Sequence, residues 1–138
     1  MTPSVQCVTA IQNWEGLRLQ VYNDLNGYPT VGYGHKLQSG ESYPNGITEA
    51  QADALFNQDC VPFESQLASF GLALTQGQYD ALFSFLYNLG ISALKTMLGH
   101  GLDQVPDQLP RWVYAGGKPQ PGLVARRNQE VAWWNGVE

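Results

Sequence analysis

Apolar positions near the start of the chain follow a helical period and then change to a strand period. They recur every three residues over Val5–Ile11, which places one apolar stripe on a helix face. Gly16 directly follows Glu15, and a glycine just past the last periodic residue is a typical helix stop. Apolar and polar residues then alternate over Leu17–Tyr22. The pattern predicts a helix that ends at Glu15, followed by a strand.

A second strand is predicted after a short turn. Residues 23–27 read NDLNG, which is turn composition, and the alternation returns over Tyr28–His35. Two glycines of this return strand leave one of its faces without side chains, which suits close approach of a ligand. We expect the hairpin to pack against the end of the first helix and to bring Glu15, Asp24 and Thr30 into one cleft.

The middle of the chain contains two helix-start signals. Thr48–Gln51 and Thr75–Gln78 both have the form of a capping box. We expect the first of these helices to be interrupted or bent at Pro62 and to continue to Gly71. The second should end at Gly90. Four apolar residues of the second helix are predicted to be core, because they recur at helical spacing: Tyr79, Leu82, Phe83 and Leu86.

The last third has weaker signals. A short helix is expected over Ala93–Leu98, followed by a glycine- and proline-containing loop up to Pro110, which either starts a helix or distorts one. Residues 115–121 read as a turn-rich connector. Pro121 then opens a last helix, which ends at Asn135.

Composition narrows the class of protein. The 138 residues are 43% hydrophobic and carry a net charge of −5 with only seven lysines and arginines, which argues against nucleic-acid binding. No segment reaches the length of a membrane span, so no stable membrane insertion is expected. The first ten residues lack the features of a signal peptide. We therefore predict one domain that is made in the cytoplasm.

The two cysteines do not indicate a metal site. Cys7 and Cys60 have no CxxC or cysteine–histidine spacing, and no metal or organic cofactor is expected. Two buried free thiols are the favoured interpretation, and a disulfide between them is the alternative.

The residues of the predicted cleft suit cleavage of a bond between sugars. That reaction needs an acid to protonate the leaving oxygen and a base for the attacking water. Glu15, partly desolvated beside Trp14 and Leu17, would stay protonated, whereas Asp24 in a polar turn would stay ionised. Thr30 would help to hold the water.

The spacing of these three residues resembles a known family. Eight residues separate Glu15 from Asp24 and five separate Asp24 from Thr30, after which Val-Gly-Tyr-Gly-His follows at once. This looks like the glutamate, aspartate and threonine triad of phage-type lysozymes, glycoside hydrolase family 24. Later blocks resemble the family in the right order: Phe-Leu-Tyr-Asn-Leu-Gly at 85–90, Ala-Gly-Gly-Lys at 115–118 and Pro-Gly-Leu-Val at 121–124.

The resemblance implies an α+β, mostly helical, two-lobed lysozyme-like domain. A hairpin lobe would cover about residues 15–46, and a helical lobe about residues 47–138 plus the N-terminal helix. The implied activity is a muramidase of the endolysin type that cuts the β-1,4 bond between N-acetylmuramic acid and N-acetylglucosamine in peptidoglycan, with inversion. The enzyme would be a monomer in the host bacterial cytoplasm, and a separate holin-type protein would release it to the wall.

Further roles follow from the resemblance. Family counterparts of Tyr87 and Asn88 line the sugar cleft, so these two are candidate substrate contacts. Either Arg126 or Arg127 could reach Glu15, the alternative being a solvated helix face that pairs with Glu130. We expect His35 to be structural, because the acid and water-handling roles are already filled.

Two other functions stay open. A lytic transglycosylase breaks the same bond with one glutamate and closes an anhydro ring, and the presence of Asp24 and Thr30 counts against it. A glycan-binding module on a lysozyme scaffold would bind without cleavage, and the intact triad counts against that interpretation.

Overall fold

The computed structural model describes residues 1–137 and confirms the predicted α+β, mostly helical class. None of the helices in these residues is long and apolar enough to cross a membrane. Short 3-10 turns lie at Leu102–Gln104 and Leu109–Arg111. The helices and strands in chain order are α1 (Val5–Glu15), β1 (Arg18–Asn23), β2 (Pro29–Gly32), β3 (His35–Lys36), α2 (Glu49–Ala68), α3 (Gln76–Leu89), α4 (Ile91–Leu98), α5 (Val105–Gln108), β4 (Tyr114–Ala115), β5 (Lys118–Pro119) and α6 (Pro121–Trp134).

The chain divides into two compact units. Val5–Pro62 form the N-terminal unit, and Met1–Ser4 with Phe63–Glu138 form the C-terminal unit. The N-terminal unit holds α1, the three-stranded sheet and most of α2. The C-terminal unit holds α3 to α6 and a two-stranded sheet.

The sheet of the N-terminal unit has one strand more than the sequence pattern predicts. Its order is β1-β2-β3 with antiparallel pairing, and Val31 pairs with His35 across β2 and β3. The predicted return strand up to His35 is therefore wrong in its second half. Gly32 and Gly34 have φ angles of +69° and +81°, a region open mainly to glycine, so the chain reverses between them. The alternating pattern alone could not show this reversal.

The alternation of apolar and polar residues predicted the strand β1 correctly, but the face that carries its apolar residues is not buried. Leu17, Leu19 and Val21 remain 37–40% exposed. The core beside the sheet is built from other residues, namely Val31, Ile47 and Ala52, with Tyr33, Leu37, Tyr43 and Leu55 packed against them. Cys7 and Cys60 are buried thiols, as the favoured interpretation predicted.

Helix α2 begins as predicted and passes through its proline. The Thr48 hydroxyl accepts the Gln51 N–H, and the Gln51 side chain accepts the Thr48 N–H, which completes the capping box. Pro62 lies inside the helix and does not interrupt it. Proline removes one intrahelical bond, and the carbonyl left over belongs to Gln58, an exposed residue that water can solvate.

The C-terminal unit is organised around α3. Thr75 and Gln78 form the predicted capping box at its start. The four residues predicted as core (Tyr79, Leu82, Phe83 and Leu86) are at most 4% exposed. Helix α3 packs mainly against α6 and then against α4. The close approach of α3 and α6 is marked by Gly77, where an added Cβ would lie 2.2 Å from the Trp133 carbonyl oxygen.

Two stretches predicted to be irregular are ordered by their prolines and glycines. The expected loop between α4 and Pro110 contains α5 and both 3-10 turns, and Pro106 and Pro110 occupy first-turn positions where a proline loses no intrahelical bond. The expected connector at 115–121 contains the β4–β5 hairpin. Its turn is Gly116–Gly117, with φ angles of +61° and +78°.

Replacing Gly77 by alanine tests the close approach of α3 and α6. Alanine is the better helix former, but its Cβ would collide with the Trp133 carbonyl, so we expect Gly77→Ala to lower the free energy of unfolding by about 1–3 kcal/mol. Gly122→Ala in α6 is the matched control, since nothing lies within 4 Å of its Cβ position. It should leave stability unchanged or raise it by up to about 1 kcal/mol. Urea unfolding measures both, and equal effects of the two changes would contradict the packing described.

Candidate active site

Glu15 is the last residue of α1 and is exposed. The helix ends there because Gly16 turns the chain at φ +78° while its N–H still bonds the Gln12 carbonyl at 2.9 Å. The Glu15 carboxyl lies against Gly34, where an added Cβ would be 3.4 Å from Oε2. The partial burial expected for Glu15 from its neighbours Trp14 and Leu17 is therefore not observed. The absence of a side chain at residue 34 leaves space beside the carboxyl instead.

Asp24 is held by the turn that follows β1. Its Oδ1 accepts the backbone N–H groups of Asn26 and Tyr28, both at 2.9 Å, and its own N–H donates to the Tyr28 carbonyl. An aspartate that accepts bonds from its own turn is a common way to fix such a loop. The second oxygen, Oδ2, is 3.8 Å from the Lys36 ammonium. One carboxylate oxygen is thus committed to the backbone, and Oδ2 remains for other contacts.

Thr30 is 2% exposed and lies in β2, paired with Tyr22 on one side and Lys36 on the other. Its hydroxyl donates to the Tyr28 carbonyl at 2.8 Å. Because that bond uses the only hydroxyl hydrogen, the oxygen can act towards a further group only as an acceptor. The side chains of Asp24 and Thr30 therefore both hydrogen-bond to the backbone of one residue, Tyr28. Glu15 is placed by a different part of the sheet, the turn at Gly34.

His35, the residue after Gly34, is buried and is held by a partly buried polar network. Its Nδ1 lies 2.8 Å from Asp59 Oδ2, and its Nε2 lies 2.9 Å from Glu41 Oε1. Glu41 also accepts the Tyr43 hydroxyl and the Gln38 N–H. The network ties β3 to α2 and to the loop after β3, which is a structural role, as predicted. The sequence did not identify the two carboxylates as partners, because they lie 24 and 6 residues from the histidine.

The network favours the charged form of His35. A neutral imidazole has a single N–H, so only the doubly protonated ring can donate to both carboxylates. Burial lowers the pKa of His35, but the bonds to Asp59 and Glu41 outweigh it and raise that pKa above 6.5. Partial burial raises the pKa of Asp59, whereas the Gln38 N–H lowers that of Glu41. The raised pKa of His35 governs how the network responds near neutral pH, because histidine is the only one of the three groups whose ordinary pKa lies near neutrality.

The raised pKa of His35 predicts a pH-dependent stability. The stabilisation is fully present below the unfolded-state pKa near 6.5 and is lost as pH rises through the higher folded-state value. We expect His35→Asn to lower the free energy of unfolding by about 1–3 kcal/mol at pH about 6 and to flatten its decline towards alkaline pH. His100→Asn, at an exposed histidine, is the control. Urea unfolding from pH about 6 to alkaline pH measures the free energy of unfolding of each variant. If its dependence on pH were unchanged in His35→Asn, the raised pKa of His35 would not be its cause.

The two candidate substrate contacts, Tyr87 and Asn88, lie near the end of α3 in the C-terminal unit. The Tyr87 ring packs 5.2 Å from the Phe63 ring and 6.5 Å from the Phe83 ring, measured between centroids. Asn88 Oδ1 accepts a hydrogen bond from Arg127 Nη2 at 2.7 Å. Both side chains are partly buried. Their role in binding sugar remains a prediction.

The surroundings of Arg127 differ from the solvated helix face predicted for it. The expected pairing with Glu130 exists, but the helix face that carries it is not solvated, because the two residues are 1% and 0% exposed. The missed signal is Ser84, a small polar residue within the apolar run of α3, which donates to Glu130. Arg126 is 9% exposed, and its pairing with Glu15 remains a prediction.

Comparison with known proteins decides the family. The family model described as phage lysozyme matches residues 12–130, which is most of the chain and includes all the candidate residues. The chain belongs to the phage lysozyme family. The resemblance stated from the Glu15, Asp24 and Thr30 spacing is thereby confirmed.

Curated relatives and a solved structure agree with membership of the phage lysozyme family. The SAR-endolysin of bacteriophage PS119 is 36% identical over 132 residues, covering 87% of this chain and 77% of that protein. The endolysin of Bacillus phage PZA is 35% identical over 137 residues, which cover 93% of this chain. This chain spans only about half (53%) of that protein. The structure of an endolysin from Escherichia coli O157:H7 phage FAHEc1 matches with a TM-score of 0.81 and 28% identity, covering 97% of this chain and 93% of that one.

Proposed function

We propose that this chain is a muramidase endolysin that hydrolyses the β-1,4 bond between N-acetylmuramic acid and N-acetylglucosamine in bacterial peptidoglycan. Membership of the phage lysozyme family supports this activity. The structural observation that carries it is the arrangement at Tyr28, where Asp24 keeps one carboxylate oxygen for other contacts and Thr30 keeps its acceptor sites. These are the groups that an attacking water needs: a base and an oriented acceptor.

Each residue of the triad takes one role. Glu15 is the general acid that protonates the leaving glycosidic oxygen. Asp24 Oδ2 takes a proton from the attacking water, while Thr30 Oγ1 accepts that water's other hydrogen and so orients it. Activation of water by a base on the opposite face of the sugar ring gives inversion at the anomeric carbon. Acid, base and water are sufficient for this reaction, so it requires no metal or cofactor.

The proposal extends to the substrate contacts of this domain and to its route to the cell wall. Tyr87 would pack on the apolar face of a sugar ring, and Asn88 would bind a polar group of the same glycan. The domain would act as a monomer made in the host cytoplasm, with a separate holin-type protein giving it access to the wall. This chain spans 53% of one phage relative and 77% of another. These statements therefore apply to the catalytic domain.

Removing the acid or the base tests the proposed reaction. Glu15→Gln keeps the size of the side chain but cannot donate the proton, and Asp24→Asn cannot take one. We expect each to lower the rate of peptidoglycan clearing by about 10²–10⁴-fold. Asp107→Asn, at an exposed acid in the C-terminal unit, is the control and should keep full activity. Circular dichroism should show that all three variants are folded.

Analysis of the products separates the alternatives. A muramidase releases hydrated fragments with a reducing end, whereas a transglycosylase releases anhydro fragments lighter by one water. Nuclear magnetic resonance of the first product formed should show the inverted anomer. Binding of wall without any cleavage by the wild type would reject the enzymatic function, and retention of configuration would reject the roles given to Asp24 and Thr30.

The space beside Glu15 gives an independent test. Gly34→Ala and Gly40→Ala place a Cβ at similar φ angles, +81° and +89°, so each should cost about 1–2 kcal/mol of stability. Only the Cβ at residue 34 would contact the Glu15 carboxyl. We expect Gly34→Ala to lower kcat by up to about tenfold, because the added methyl group would contact and restrict the Glu15 carboxyl, and Gly40→Ala to keep kcat within about twofold. Equal kcat values in the two variants would mean that the position of Glu15 does not depend on Gly34.

A further inference from the structure

Arg127 and Glu130 form an ion pair inside the C-terminal unit that the proposed reaction does not use directly. Arg127 Nε lies 2.7 Å from Glu130 Oε1, close but outside hydrogen-bond alignment, and Nη2 donates to Oε2 at 3.1 Å. Ser84 donates its hydroxyl to the same Oε2 at 2.5 Å. The carboxylate of Glu130 is thus fixed from two helices, α3 and α6.

The other side of the Arg127 guanidinium faces α3 and the segment before β4. Nη2 donates to Asn88 Oδ1 at 2.7 Å, and Nη1 donates to the Trp112 carbonyl at 3.3 Å. The guanidinium carbon lies 5.0 Å from the centroid of the Phe85 ring. The two hydrogens of Nη2 are therefore both used, one by Glu130 and one by Asn88.

This arrangement fixes which way the Asn88 amide is turned. A guanidinium is a donor only, so it can face the amide oxygen but not the amide NH₂ group. The Nδ2 group of Asn88 is then on the side away from Arg127, and it makes no hydrogen bond to any residue within 1–137. Asn88 is partly exposed. It offers an open donor whose orientation is set by a buried charge.

We propose that Arg127 and Glu130 are positioning residues that hold Asn88 as a hydrogen-bond donor to the acetamido carbonyl oxygen of an N-acetylated sugar. This proposal rests on the proposed function, since it names the part of the glycan that Asn88 recognises. Sugar hydroxyls both donate and accept, so either end of an asparagine amide can bind them. The acetamido carbonyl only accepts, and a fixed NH₂ group selects it.

Binding experiments test the proposal without requiring cleavage. The probe is chitotetraose, the β-1,4 tetramer of N-acetylglucosamine, and its Kd is measured by calorimetry. Asn88→Asp keeps an oxygen for Arg127 but replaces the open donor with an acceptor. We expect this variant to unfold at or above the wild-type temperature and to bind chitotetraose at least about tenfold more weakly. Unchanged affinity in Asn88→Asp, or failure of the wild type to bind, would overturn the proposal.

A double-mutant cycle separates positioning from a purely structural role. Arg127→Gln with Glu130→Gln removes both buried charges together, so neither charge is left unpaired. Asn88→Ala should raise Kd about tenfold in the wild type but less than about twofold in this background, where the amide is no longer fixed. Equal factors in the two backgrounds would show that the pair does not act through Asn88. If the double variant does not fold, Arg127→Lys takes its place in the cycle, because lysine keeps the charge but lacks the fork that reaches both Glu130 and Asn88.

The outcomes also separate this proposal from the proposed function. A wild type that binds chitotetraose through Asn88 but does not cleave peptidoglycan would reject the muramidase and keep the positioning pair. A wild type that cleaves peptidoglycan with a KM that Asn88→Asp does not change would reject the positioning pair and keep the muramidase.

Discussion

Taking a guanidinium and a carboxylate out of water is the constraint on which the C-terminal unit depends. Moving such a pair into the interior costs several kcal/mol per ion unless good geometry and further hydrogen bonds compensate. Burial lowers the pKa of Arg127 and raises that of Glu130, and the charge of each partner opposes that effect. Compensation comes from Ser84 and Asn88 on α3 and from the Trp112 carbonyl. These hydrogen bonds form only when α3, α6 and the segment at Trp112 are assembled together, so the pair links their folding.

The N-terminal unit is stabilised in a different way. Its apolar cluster beside the sheet is small, and Leu17 before β1 and Leu19 and Val21 within it remain partly exposed. The shape of its sheet follows from hydrogen bonds and turns: the turn closed by the Asp24 side chain, the reversal at Gly32 and Gly34, and the carboxylates around His35. Directional bonds of this kind allow less variation in position than apolar packing does. That suits a unit that carries the three residues of the proposed triad.

Local signals in the sequence predicted what local chemistry determines. The capping boxes at Thr48 and Thr75 marked helix starts because their bonds span three residues. The spacing from Glu15 to Thr30 identified the family for a similar reason, since the motif is nearly continuous. The sequence failed where the outcome depends on distant partners. Nothing near Arg127 shows that Ser84, 43 positions earlier, joins its pair with Glu130, and nothing near His35 shows that Asp59 faces it. The exposure of Glu15 likewise depends on surroundings that its neighbours Trp14 and Leu17 do not reveal.

The burial of the two cysteines has a practical consequence. Cys7 and Cys60 are 0% and 3% exposed, and both belong to the N-terminal unit, while the C-terminal unit has none. A thiol reagent can modify them only after that unit opens, because a buried sulfur is out of its reach. The rate of labelling therefore reports the opening of the structure around these two cysteines, which belong to the unit that carries Glu15, Asp24 and Thr30. The native sequence thus contains a probe of local opening, with no added label.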